Sequence, residues 1–248
     1  MESPNLRIIP SMLLFKGRLV KGVSFKNHLD VGNPATTCKA LESQKADEII
    51  IIDLESYREP KKEIDYKSLS EISKNLLTSI TFGGGITSLK EAKKCFKNGA
   101  DKIYISNILF KNIEIVKKIS NVFGNQSIVC GINVTKKQGK YLIFENENLD
   151  LFDWLKKINK LPIGEIKVTF VNSEGTKKGL DIEICKKIIE QVNHPVVIEG
   201  GIGHLTHIKQ IAELPVSGIA LGTMLNFTDQ NIIKIKQYLT NQKFKVRN

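Results

Sequence analysis

Sulphur is scarce in this sequence and badly placed for metal chemistry: among 248 residues only Cys38, Cys95, Cys130 and Cys185 are cysteines, with no CxxC pair and no histidine at ligand spacing. The pattern supports neither a zinc site nor a disulfide framework, so four buried, reduced thiols are expected and neither metal nor cofactor is implied. Long apolar runs are missing as well. No stretch approaches about 18 consecutive apolar residues, which argues against a membrane-spanning helix. Met1-Glu2-Ser3-Pro4-Asn5 lacks the basic-then-apolar order of a signal peptide, and a cytoplasmic protein is expected.

Lysine is what the chain has in excess. Lys+Arg number 37 against 26 Asp+Glu, a formal charge of +11. A surplus of that size raises the question of nucleic acid. The lysines are dispersed over helical stretches (Lys93, Lys94, Lys97; Lys117, Lys118; Lys156, Lys157; Lys186, Lys187), and no RNP, zinc-finger or basic-region pattern is present. A diffuse excess instead helps draw in anionic small molecules.

Short β-branched runs alternate with longer amphipathic stretches. The runs are Arg7 to Leu14, Glu48 to Leu54, Ser79 to Phe82, Asp101 to Ile105, Ser127 to Asn133, Glu165 to Phe170, Val196 to Ile198 and Gly218 to Leu221. Helical patterns lie between them at about Pro34 to Lys45, Asp65 to Asn75, Ser88 to Asn98, Asn112 to Val122, Leu151 to Asn159, Asp181 to Val192, Leu205 to Leu214 and Gln230 to Thr240. Eight alternations, with strands that are almost continuously apolar, predict an α/β chain folded as a single (β/α)8 TIM barrel over residues 1–248. An open doubly wound sheet is the alternative, and its first-turn GxGxxG is absent.

The halves echo one another. Phe82-Gly83-Gly84-Gly85-Ile86, then Lys102-Ile103-Tyr104-Ile105-Ser106, recurs as Glu199-Gly200-Gly201-Ile202, then Gly218-Ile219-Ala220-Leu221-Gly222. In a barrel the loops after the strands form the active face. Gly84 and Gly85, like Gly200 and Gly201, let backbone N–H groups approach an anion at a helix start. Ser106 and Asn107, and Gly222 with Thr223, end the neighbouring strands and add donors. The layout predicts two phosphate sites on opposite sides of the mouth and a phosphorylated small-molecule ligand. Glu174, Gly175 and Thr176 follow strand six at the same rim, and Lys21, in the Lys16 to Lys26 segment, is expected to reach a phosphate from a mobile loop. Asp53 and Asn133 end strands two and five and are expected to face the mouth. At the opposite strand ends, Arg7, Glu48, Lys102 and Glu165 alternate in sign and suit a charged ring across the floor. His204 and His207 read as helix-start and helix-surface residues.

These residues resemble a known family. Arg7-Ile8-Ile9-Pro10, Gly17-Arg18-Leu19-Val20-Lys21-Gly22-Val23, Ala46-Asp47-Glu48, Phe82-Gly83-Gly84-Gly85-Ile86, Gly99-Ala100-Asp101-Lys102, Glu174-Gly175-Thr176 and Gly200-Gly201 are similar, in order and spacing, to the cyclase (synthase) subunit of imidazole glycerol phosphate synthase. The resemblance implies a glutaminase partner docked on the floor as a heterodimer, with Asp101 as a contact. It implies an ammonia gate at Arg7, Glu48, Lys102 and Glu165, and a bisphosphate ligand at the mouth. It also places general acid/base aspartates at the ends of strands one and five, where this chain has Leu13 and Asn133. Leucine cannot transfer a proton and an amide does not titrate near neutrality, so acid–base cyclisation loses both agents. Asp181, Asp53 and Glu174 are the carboxylates left to substitute. Leu13-Leu14-Phe15-Lys16 resembles a divergent branch in which the barrel, a glutaminase and a sugar amidotransferase supply ammonia for acetamidino modification of surface sugars. An active cyclase, an ammonia-conducting partner and a silent phosphate-binding subunit are the three functions this leaves open.

Overall fold

Runs such as Ile49-Ile50-Ile51-Ile52 have apolar side chains on both faces and are stable only between two layers, which a helix-wrapped parallel barrel provides. The computed structural model describes residues 5–58 and 63–247, leaving aside the side chains of residues 57 and 58; Met1 to Pro4, at the start of the stretch weighed as a signal peptide, lie outside this range. In chain order the strands are β1 (Arg7–Phe15), β2 (Arg18–Val23), β3 (Lys26–Gly32), β4 (Ile49–Asp53), β5 (Ile80–Gly83), β6 (Lys102–Ile105), β7 (Ile128–Lys137), β8 (Lys140–Ile143), β9 (Asn146–Asp150), β10 (Glu165–Phe170), β11 (Val196–Glu199) and β12 (Gly218–Leu221). Eight of them close a parallel barrel in the order β1, β4, β5, β6, β7, β10, β11, β12 and back to β1. They coincide with the eight runs read from the sequence.

Eight longer helices follow the strands: α1 (Pro34–Ser43), α3 (Tyr66–Ser73), α4 (Leu89–Lys97), α5 (Glu114–Phe123), α6 (Leu151–Ile158), α7 (Ile182–Gln191), α8 (Leu205–Ala212) and α10 (Ile232–Asn241). Two short ones, α2 (Leu54–Arg58) and α9 (Thr223–Phe227), sit at the mouth. Polar caps fix where several of them begin. Ser88 and Glu91 form a reciprocal capping box on α4, and Asp150, Asp181 and Asn231 accept backbone N–H bonds at the starts of α6, α7 and α10.

The main core lies between the outer strand faces and the helices, and includes all four cysteines. Burial pushes the thiols of Cys38, Cys95 and Cys185 up to about 12, so they are inert as nucleophiles. A second, separate apolar cluster occupies the lumen: Ile9, Ile50, Val197 and Ala220. It is one of the side-chain layers that fill a barrel of this kind.

Two antiparallel hairpins were not legible. The Lys16 to Lys26 segment, expected as a mobile loop, is instead largely strand: β2 pairs β1 on one side and β3 on the other. β8 and β9 extend β7 in the same manner. The hairpins meet over the mouth, where the Phe25 and Phe144 rings pack edge to face at 5.5 Å.

Candidate functional site

At the floor the four charges meet. Arg7 Nη1 donates to Glu48 Oε2 at 2.7 Å and Arg7 Nη2 to Glu165. Lys102 Nζ lies 2.7 Å from Glu48 Oε2 and 3.8 Å from Glu165 Oε2. Thr81 and Ser217 hydroxyls complete the carboxylates' coordination by donating to Glu48 and Glu165. Burial works against the Arg7 charge, but Glu165 and Glu48 outweigh it and hold the guanidinium above its ordinary pKa. Asp101 stands on the same end of the barrel, exposed, with Oδ2 accepting the Ile80 N–H at 2.8 Å.

Above the floor the Ile9, Ile50, Val197 and Ala220 layer intervenes, and above that the lumen turns polar again. Tyr104 is 7% exposed and fits only because Gly83 and Gly131 face it; a Cβ at 131 would overlap the phenol ring. Lys167 Nζ rests 5.3 Å from the centre of that ring. It donates to Glu199 and, at 3.0 Å, to Thr169 Oγ1, while Thr169 Oγ1 donates to Glu199 Oε2 at 2.9 Å. A second buried pair, Lys21 with Glu174, lies beside it at the mouth. Burial alone would raise the Glu199 carboxyl, yet Lys167 and Lys21 pull it down to about 2. Burial also disfavours the Lys21 ammonium, but Glu174 and Glu199 keep its pKa above the usual lysine value.

The mouth opens into a cavity of about 540 Å³, within the range of small-ligand sites. Gly84, Gly85, Ser106, Asn107, Leu13 and Asn133 all line it, as do Lys21 and Glu174. Gly84 and Gly85 take positive φ values of 100° and 69°, a conformation that favours glycine. Gly200, Gly201, Gly175, Thr176, Gly222 and Thr223 are not among the lining residues. On that side the Gly201 carbonyl accepts the Gly179 N–H at 2.8 Å, and the Lys21 side chain lies against Gly222. The Thr223 hydroxyl is buried without a hydrogen-bond partner among the described residues.

Four expected site residues have other work. Asp53 does not face the mouth: it is 1% exposed, and its carboxylate accepts N–H bonds from Glu55 at 2.9 Å and Asp65 at 3.0 Å, capping α2 and anchoring the start of α3. Asp181 caps α7 and accepts the Tyr141 hydroxyl. Lys21 and Glu174 neutralise each other, so Lys21 is no free phosphate ligand on a mobile loop. The carboxylate that does reach Asn133 is one the sequence did not single out. Asn133 Nδ2 donates to Glu145 Oε1, from the turn between β8 and β9. Glu145 Oε2 is buried with no partner among the described residues, and burial raises its pKa despite the Asn133 bond. Glu145 sits in a run of ordinary polar turn residues, so no pattern marked it. Lys167 and Glu199 were findable: counting inward positions by two from Glu165 gives Lys167 and Thr169, and from Val197 gives Glu199.

A family model described as "Histidine biosynthesis protein" matches residues 7–231. Curated relatives include proteins named imidazole glycerol phosphate synthase subunit HisF. That of Clostridium botulinum (strain Langeland) is 34% identical over 249 residues, covering 97% of this chain and 98% of the relative. That of Saccharolobus solfataricus is 34% identical over 249 residues with the same coverage. That of Pyrococcus furiosus is 30% identical over 247 residues, again covering 97% and 98%.

Proposed function

The chain belongs to the histidine biosynthesis protein family as a HisF-type subunit, and from that premise we propose that it is a cytoplasmic ammonia-receiving barrel whose mouth no longer performs the family's cyclisation. One contrast carries this reading. The floor keeps Arg7, Glu48, Lys102 and Glu165 in mutual contact, whereas the mouth presents Leu13 and Asn133, neither of which transfers a proton.

In this reading a glutaminase docks on the floor as the second member of a heterodimer and releases ammonia against the four-charge ring. Lys102 is the member able to swing aside: its side chain is 24% exposed, against 14% for Arg7 and 3% for Glu48, and one of its two contacts is long. Ammonia then crosses the lumen to a phosphate-bearing ligand at the mouth. Leu13-Leu14-Phe15-Lys16 resembles the divergent branch that supplies ammonia for acetamidino modification of surface sugars, and that resemblance implies such modification as the use of the ammonia, with a sugar amidotransferase as third component.

Co-purification with the glutaminase tests the docking step. Asp101→Lys is expected to weaken the complex at least tenfold, whereas Asp101→Asn, which keeps an acceptor for the Ile80 N–H, should weaken it less. Dissociation constants read by surface plasmon resonance decide it, and unchanged binding of the lysine variant removes this surface from the proposal.

A further inference from the structure

Among the described residues five carboxylates line the mouth cavity, and four of them already have partners. Glu174 and Glu199 are paired with Lys21 and Lys167, Glu63 lies 2.8 Å from Lys94, and Glu91 accepts N–H bonds at the start of α4. Glu145 is the exception. Its Oε1 accepts from Asn133 Nδ2, while its Oε2 is buried with no partner among the described residues. Lys90 and Lys111 also border the cavity, yet neither pairs with it. The turn that carries Glu145 is fixed. The Phe144 N–H donates to the Asn133 carbonyl at 2.8 Å, and the Phe144 ring packs on Phe25 of the other hairpin. Burial raises the Glu145 pKa, as expected of a carboxylate held short of water and of any cation. An ionised group left in that state is costly, and an N–H cation entering the cavity would supply the missing hydrogen bond and the missing charge together. Phe25 and Phe144, whose ring faces attract cations, line the same space, with Leu13 as an apolar wall.

We propose that Glu145 Oε2 anchors a site for an N–H cation, an ammonium or amidinium group carried on an organic body. The cation donates to Oε2, Asn133 holds Oε1 and so sets the carboxylate's orientation, and the body lies against Leu13 and the Phe25–Phe144 pair. Every part of the site belongs to the mouth, so it does not depend on ammonia crossing the lumen.

Calorimetric titration of the full chain tests it with benzylamine and benzamidine, their uncharged counterparts benzyl alcohol and benzamide, and benzyltrimethylammonium, which has the charge but no N–H. Both N–H cations are expected to bind at least tenfold more tightly than their counterparts and than the quaternary ion, the scale of one charge-assisted hydrogen bond. An advantage confined to one of them supports the site and fixes its cation as tetrahedral or planar. Glu145→Gln, which keeps an acceptor for Asn133, should erase the advantage, whereas Glu63→Gln at the rim should leave it intact. The charged-against-uncharged comparison needs only the parent protein, so a poorly folding variant does not disable the test. A quaternary ion that binds as tightly as benzylamine overturns the inference in favour of the aromatic rings. Binding of the N–H cations unchanged by Glu145→Gln, no preference over the uncharged probes, or no binding of any probe at millimolar concentration overturns it outright.

Discussion

Supplied with free ammonia and the bisphosphate substrate of the histidine-pathway cyclase, the unmodified protein should form imidazole glycerol phosphate several orders of magnitude more slowly than a barrel with aspartates at both mouth positions. Each positioned acid or base contributes about 10²- to 10⁴-fold, and Leu13 and Asn133 remove two of them, although such effects are not additive. Asp53, Asp181 and Glu174 offer no rescue, because capping bonds or an ion pair engage all three. Restoration by Leu13→Asp with Asn133→Asp should be partial. An aspartate at 133 would stand against Glu145, and two adjacent carboxylates in a buried site cannot both ionise readily, so one pKa rises. Adding Glu145→Ala to the pair is therefore expected to recover more turnover than the pair alone. Product formation by the unmodified chain at about 1 s⁻¹ or faster, an ordinary enzymatic rate, would return it to the active cyclases.

The second large effect concerns stability. Lys167→Met leaves Glu199 buried without its nearest cation, and breaking a buried ion pair in this way costs about 3–5 kcal/mol. For a domain of this length that corresponds to a fall in Tm on the order of 10 °C. Lys167→Met with Glu199→Gln should recover most of it, since an apolar and a neutral polar residue replace the pair while Gln still accepts from Thr169. The pH dependence has a defined sign. The Glu199 carboxyl is held near 2 in the fold against an ordinary 4.5, so its contribution is fully present above about 4.5 and is lost as pH falls toward 2. The single variant should lose that acid-side component. Calorimetric unfolding between pH 7 and 3 measures both, and a Lys167→Met protein as stable as the parent would show that water or a repositioned Lys21 replaces the pair.

Both predictions depend on parts of the molecule that the sequence revealed unequally. Alternation of β-branched runs with amphipathic stretches located every barrel strand and long helix, because parallel strands buried on both faces leave a continuous apolar signal. The floor ring was less legible from spacing: charges at strand starts often face solvent, and it was the family resemblance that implied Arg7, Glu48, Lys102 and Glu165 as a gate. The mouth was less legible still. Asp53 has the position of a catalytic residue but serves as a cap, and only its backbone partners distinguish the two roles. The β2–β3 and β8–β9 hairpins are largely polar, and within each the strands pair antiparallel with one another and with the neighbouring β1 or β7, so they lack the continuous apolar signal of the barrel strands. Glu145 became a mouth residue only because such a hairpin folds over Asn133.

The buried cysteines give the barrel an internal set of reporters. Cys38, Cys95 and Cys185 sit on α1, α4 and α7, and Cys130 on β7, each 0% exposed. A thiol held in that state meets an alkylating reagent only when its own segment opens, so the labelling rate at each cysteine measures the free energy of opening there. Mass spectrometry of one timed alkylation thus separates regional breathing, which labels one quadrant, from global unfolding, which labels all four together.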